Sequence, residues 1–142
     1  MLETLILPDP LRAQLAAVAE VAFPVECCGL IEGRTEALAG REALHVTALH
    51  PTRNLSAEPD RFEIDPAAHV RLLRALRGTG RDIVGCYHSH PNGRAEPSET
   101  DRARAADEDF VWLIQPVTSD GPGPAAGFVF AGGAFRPIAL SA

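Results

Sequence analysis

The chain has 142 residues, 46% of them hydrophobic and 23% charged, and a formal net charge of −6. That size and balance fit one globular core that needs no disulfide framework. The acidic excess argues against a nucleic-acid partner, because phosphate binding needs a basic face.

No apolar run approaches the ~20 residues that span a bilayer. The longest, "QLAAVAEVAF", is interrupted by Glu20, and "MLETLILPDP" has no basic residues ahead of its apolar run as a secretory signal would. The expectation is a single domain over residues 1–142, cytoplasmic, with neither membrane nor nucleic acid as partner. All 13 basic residues are arginine, so no lysine side chain offers an amine for an isopeptide tag. Cys27, Cys28 and Cys86 are too few for a disulfide scaffold and contain no C-x-x-C pair; they read as small buried hydrophobes.

In chain order, "LETLILP" reads as a strand. "DPLRAQLAAVAEVA" reads as a helix with Asp9 as N-cap, Pro10 at its first position, and Leu11, Leu15, Val18 and Val21 on its apolar face. Pro24 stops it. "VECCGLIEG" is a short buried strand ended by Gly33, and "EALHVTALH" is another. "PTRNLSAEPD" is a polar, turn-rich loop long enough to rim a site. Asp65-Pro66 then opens a helix, "PAAHVRLLRALR", closed by Gly78, on which Arg71, Arg74 and Arg77 form a solvated face. "DIVGCYHSH" is a strand, and a helix begins near Ser98. "FVWLIQPV", "AAGFVFAG" and "FRPIAL" are closing strands, with "TSDGPGP" a turn and Trp112 in the core. Helices and strands alternate early and strands dominate late, which points to an α/β fold with a mixed central sheet flanked by helices.

The chemistry concentrates in "HSHPNGRAEPSETD", residues 88–101. If "DIVGCYHSH" is a strand, His88 and His90 face the same side about 6.5–7 Å apart at Cα, with Ser89 facing away. Two imidazoles so placed can turn toward one ion. Ser98 and Asp101 have the spacing of a helix N-cap and its N3 acid, so a capping box is the plain reading of that pair. Taken with the histidines, the same pair puts a carboxylate at a concave corner. Two nitrogens and one oxygen leave a fourth tetrahedral position open, as a catalytic zinc site requires. Glu26, at the mouth of an apolar run, is a candidate proton shuttle, its pKa raised by its neighbours. His45, His50 and His69 have no ligand partners at a useful spacing. Cys86 should share the histidines' face.

These residues resemble the signature of the JAMM (MPN-plus) metalloprotease family: an upstream glutamate, then H-x-H, ten residues, and an aspartate. "FPVECCGLIEG" is similar to the family's glutamate-bearing stretch, and "NLSAEPDRFEIDP" to the segment between its asparagine and Phe-x-x-Asp-Pro step. The resemblance implies the JAMM/MPN fold, a sandwich similar to that of cytidine deaminases. It implies one zinc ion per chain on His88, His90 and Asp101, Glu26 as general acid/base, and Ser98 polarising the scissile carbonyl. The implied activity is hydrolysis of a peptide or isopeptide bond after the C-terminal Gly-Gly of a ubiquitin-like or sulfur-carrier protein. Release of a single cysteine from such a carrier is the alternative, and a metal-free scaffold domain the reading from another class. The loops around "RNLSAEPDRF" and "VTSDGPGPA" are short compared with the ubiquitin-gripping insertions of eukaryotic members, and an exposed strand edge is expected to receive the tail. Neither H-E-x-x-H nor the H-x-E and P-C-x-x-C of zinc deaminases is present.

Overall fold

The computed structural model describes residues 1–142, the side chain of residue 38 excepted. The elements run β1 (Leu2–Ile6), α1 (Asp9–Ala22), β2 (Cys28–Leu38), β3 (Arg41–Thr52), α2 (Pro66–Leu76), β4 (Asp82–His90), α3 (Glu99–Arg104), β5 (Phe110–Thr118), β6 (Gly121–Pro122), β7 (Ala126–Ala131) and β8 (Ala134–Ser141). The strands form one mixed sheet in the order β4-β2-β3-β1-β8-β7-β5, with the short β6 paired to β5. The α/β class with a mixed central sheet is therefore as expected.

The closure of that sheet was not expected. β4 pairs antiparallel with β2 on one side and parallel with β5 on the other, so the seven longer strands form a ring. A strand paired on both sides has no free edge, so β4 itself offers none to a substrate tail, whereas β3 runs on to Thr52 beyond its last β1 partner, His45. β4 can hold its central place because both its faces are buried. Tyr87 enters a core with Leu15, Ile31, Leu113 and Val129. Cys86 enters a second cluster with Trp112, Ile114 and Phe128, which confirms Trp112 as core.

α1 packs against β3, β5 and β6, and α2 against β4. Leu15 and Ala19 are buried and Leu11 and Val18 pack on the core, but Val21 is 88% exposed. At about 100° per residue, Val21 lies roughly 120° around the helix from Leu15, off the apolar stripe. The helix also starts one residue early. Pro8 is the N-cap, without a side-chain cap bond, and Asp9 is in the first turn, where its charge meets the positive end of the helix dipole. α2 begins as expected, the Asp65 carboxylate accepting from the Ala67 amide, and Arg71, Arg74 and Arg77 lie exposed. Among the described residues, no helix is long and apolar enough to cross a membrane.

Gly33 does not end β2, which continues to residue 38. The register against β3 shifts at Glu32/Gly33, and a Cβ at Gly33 would sit 2.7 Å from the His45 carbonyl oxygen. The glycine marks a bulge with close backbone approach rather than a terminus. A tighter case is Gly85, which faces Val111 across the β4–β5 pair; a Cβ there would overlap the Val111 carbonyl. Main chain held in a ladder cannot move aside. Gly85→Ala should therefore cost about 2 kcal/mol or more, read as a lower urea midpoint at unchanged slope. An unchanged midpoint would mean the ring is looser than described.

Candidate metal centre and cleft

The two-residue period of β4 places His88 and His90 on the face opposite Ser89, and the turn after β4 returns the chain so that α3 begins beside them. Ser98 caps α3. Its hydroxyl accepts from the Asp101 amide at 3.0 Å, and the Asp101 carboxylate accepts from the Ser98 amide at 2.9 Å, which completes the capping box. The same Oδ2 atom of Asp101 lies 3.1 Å from His88 Nε2 and 3.0 Å from His90 Nε2, and the two Nε2 atoms are 2.9 Å apart. His88, His90 and Asp101 are all buried, and they form the one cluster among the described residues that could hold a metal ion.

The donor set itself calls for a cation. His90 Nδ1 lies 2.9 Å from the Arg94 carbonyl oxygen, which can only accept, so Nδ1 carries a proton and in its neutral form the ring turns a lone pair at Nε2 toward Asp101. One of the two acceptor positions of Oδ2 is already taken by the Ser98 amide. Two imidazoles cannot both be satisfied by the position that remains, whereas one cation at the point of convergence satisfies all three atoms. A tetrahedral ion with bonds of ~2.0–2.1 Å needs ligand atoms about 3.3 Å apart, within a few tenths of the observed triangle.

Charge follows the same geometry. Burial would raise the Asp101 carboxyl, but the two imidazoles and the Ser98 amide hold it well below the usual carboxylate range. Burial pushes His88 down, against the pull of Asp101. At His90 burial also acts downward, but Asp101, the Arg94 carbonyl and Glu26 outweigh it and the net shift is upward.

Glu26 is 5% exposed, on the irregular segment between α1 and β2. Burial, reinforced by the Asp101 and Asp60 carboxylates and opposed by His90, raises its pKa from 4.5 to about 7. Among the described residues its Oε1 has no hydrogen-bond partner. Glu26 lines a cleft of about 420 Å³ together with His90, Ser98, Asp60, Asn92 and Thr100. All five residues singled out from the sequence thus meet at this one place.

Other parts of the site were not anticipated. Phe62 stacks on His88 with ring centroids 4.3 Å apart and planes at 20°, and the Trp112 edge meets the same imidazole at 5.7 Å. The sequence marks Phe62 only as the first residue of the Phe-x-x-Asp-Pro step, with no role at the metal centre attached to it. The Arg94 carbonyl that fixes the His90 tautomer is a backbone group and leaves no mark in the sequence. The other histidines stay out of the centre: His45 lies 3.4 Å from Glu36, and His50 meets the buried Glu32 carboxylate at 3.0 Å. Glu32 also binds Thr47 and Arg81, a buried ionic group on the same strand that local patterning does not reveal. Cys28 and Cys86 are buried and Cys27 half-buried, all three as free thiols. Burial pushes the Cys28 thiol up to about 11, so a packing role suits it.

Among known proteins, residues 8–126 match the family of prokaryotic homologs of the JAB domain. The desampylase of Haloferax volcanii is 44% identical over 92 residues, which cover 64% of this chain and 62% of that protein. The CysO-cysteine peptidase of Mycobacterium tuberculosis is 26% identical over 110 residues, 78% of this chain and 71% of that protein. A solution structure of a protein from Desulfitobacterium hafniense superposes with a TM-score of 0.79 at 27% identity, over 99% of this chain and 91% of that one.

Proposed function

The chain belongs to the family of prokaryotic JAB-domain (JAMM/MPN) proteins, and from that premise we propose that it is a zinc-dependent peptidase or isopeptidase acting after the C-terminal Gly-Gly of a ubiquitin-like or sulfur-carrier protein. The observation that carries the reading is the convergence of two imidazole nitrogens and one carboxylate oxygen, each within about 3 Å of the others, beside a buried carboxyl with no partner of its own. The kind of substrate is supported by the relatives, a desampylase and a CysO-cysteine peptidase.

In this reading His88, His90 and Asp101 hold one zinc ion per chain, which when bound polarises a water and the scissile carbonyl. The protein's own residues do the rest. Glu26, whose pKa burial raises to about 7 in the metal-free protein and which the charge of a bound ion would bring lower, takes the proton of the attacking water at its carboxylate and returns it to the departing amine. The Ser98 hydroxyl accepts from the Asp101 amide and so keeps its own proton free to donate to the carbonyl oxygen as charge develops there. Phe62 shields one face of His88 and keeps that side of the ligand dry.

We read residues 1–142 as one domain at work in the cytoplasm, with neither nucleic acid nor membrane as partner. The closed sheet with α1 and α2 on it corresponds, in this reading, to the sandwich similar to cytidine deaminases.

The test is intact mass spectrometry of the zinc-loaded protein incubated with a ubiquitin-like sulfur carrier extended past its Gly-Gly. One arm carries a protein at that end and the other a single cysteine. Release after the second glycine, stopped by a chelator, is the expected result, and the faster arm identifies the leaving group. An intact carrier in both arms, with zinc still bound, would refute the substrate assignment.

A further inference from the structure

The Glu26 carboxyl poses a positioning problem that its own oxygens cannot solve. A group that must pick up and release a proton cannot be anchored by permanent bonds to both oxygens, and Oε1 has no partner among the described residues. Nor does a strand ladder hold its main chain, since β2 begins only at Cys28.

The peptide plane that follows Glu26 is instead held from both sides by side chains. The Glu26 carbonyl accepts from Asn54 Nδ2 at 3.0 Å. The Cys27 amide, on the other edge of the same plane, donates to Ser89 Oγ at 2.8 Å. Ser89 is fully buried between His88 and His90, and its own amide donates to the Cys27 carbonyl at 3.1 Å. Asn54 is equally committed. Its amide also reaches the Arg61 carbonyl at 3.1 Å, and its Oδ1 accepts from the Ser56 and Glu63 amides at 2.9 and 3.0 Å. Its hydrogen-bonding capacity is thus filled. That ties Glu26 to the loop bearing Asp60, which lines the cleft, and Phe62, which covers His88.

We propose that Asn54 and Ser89 are positioning residues that clamp the Glu26–Cys27 peptide plane and so aim the Glu26 carboxyl at the point where His88, His90 and Asp101 converge. The clamp rests on the assignment of Glu26 as the proton-transfer group. It gives the residue between the two histidines a task. Facing away from the metal, Ser89 transmits the position of β4 to a segment 62 residues earlier in the chain. A rigid coupling of this kind matters because a misplacement of about 1 Å can cost ~100-fold in rate.

The experiment compares Ser89→Ala, Ser89→Thr and Asn54→Asp with the wild type and with Glu26→Gln. Asn54→Asp keeps the Oδ1 acceptor and replaces the donor facing the Glu26 carbonyl. Hydrogen exchange of the Cys27 amide, read in the metal-free protein, should accelerate about tenfold or more in Ser89→Ala. In the zinc-loaded enzyme kcat should fall about 10- to 100-fold in Ser89→Ala and in Asn54→Asp. KM and zinc stoichiometry should not change, and Ser89→Thr should recover most of the rate. Faster exchange at unchanged kcat would overturn the proposal, as would a loss of kcat that tracks a loss of zinc. If Ser89→Ala does not fold, Asn54→Asp decides by the same readings. Full turnover in Glu26→Gln would sink the assignment of Glu26 itself, an outcome distinct from a Glu26→Gln enzyme that is dead while the clamp variants stay active.

Discussion

Glu26→Gln should lower turnover about 10³-fold or more, leave zinc bound, and make the metal-free protein more stable at pH 8. Rate and stability move in opposite directions because both come from one buried carboxyl. Burial, together with Asp101 and Asp60, lifts the Glu26 pKa from 4.5 to about 7. Between those two values the unfolded chain has ionised while the folded one still holds its proton. The folded state then binds more protons, so stability falls as pH rises through this window and levels off above about 7. A neutral glutamine escapes the penalty, about 1–3 kcal/mol once solvent in the open cleft is allowed for. The gain should be present at pH 8 and absent below pH 4.5, where the carboxyl is neutral in both states. Thermal melts of the chelated proteins at the two pH values check this, and equal melting temperatures at pH 8 would contradict the burial argument. In the zinc-loaded enzyme the charge of the ion favours the carboxylate, so the acidic limb of kcat/KM should lie below the value of about 7 that Glu26 has in the metal-free protein.

The second large effect concerns Asp101, whose Oδ2 serves two purposes at once. It accepts from the Ser98 amide at the start of α3 and faces both imidazoles. Asp101→Asn keeps an oxygen for the cap but removes the charge from the ligand set, so zinc affinity should fall by more than the ~10–100-fold that follows loss of an outer-shell partner. Asp101→Ala should lose zinc as well, and in the metal-free protein it should be less stable than Asp101→Asn by about 1 kcal/mol, the value of the cap. Competition with a chromophoric chelator measures the first quantity and chemical denaturation the second. Wild-type zinc affinity in Asp101→Asn would leave capping as the residue's whole role.

What could be read in the sequence was what depends on residues close together in the chain. Alternation along a strand puts His88 and His90 on one face whatever surrounds them, and a serine three residues before an acid makes a helix start. The mixed α/β class was legible for the same reason, since periodicity is a local property. Local reading went wrong where two signals shared one residue. Gly33 has the look of a strand end and is a bulge, because only the partner strand reveals how closely the His45 carbonyl approaches. Val21 was assigned to an apolar face that the helix turns away from the core.

The rest came from contacts between remote segments. That β4 pairs with both β2 and β5, closing the seven longer strands into a ring, follows from pairings between distant segments, which no window of sequence contains. The Arg94 carbonyl that sets the tautomer of His90, the Phe62 ring on His88, and the two side chains gripping the Glu26–Cys27 peptide act through contacts made only once the ring has closed. The order of residues settled which atoms were available to hold a metal and move a proton. Their distances, burial and orientation depend on packing between remote parts of the chain, because dielectric, hydrogen-bond geometry and steric fit are properties of the neighbours that folding supplies.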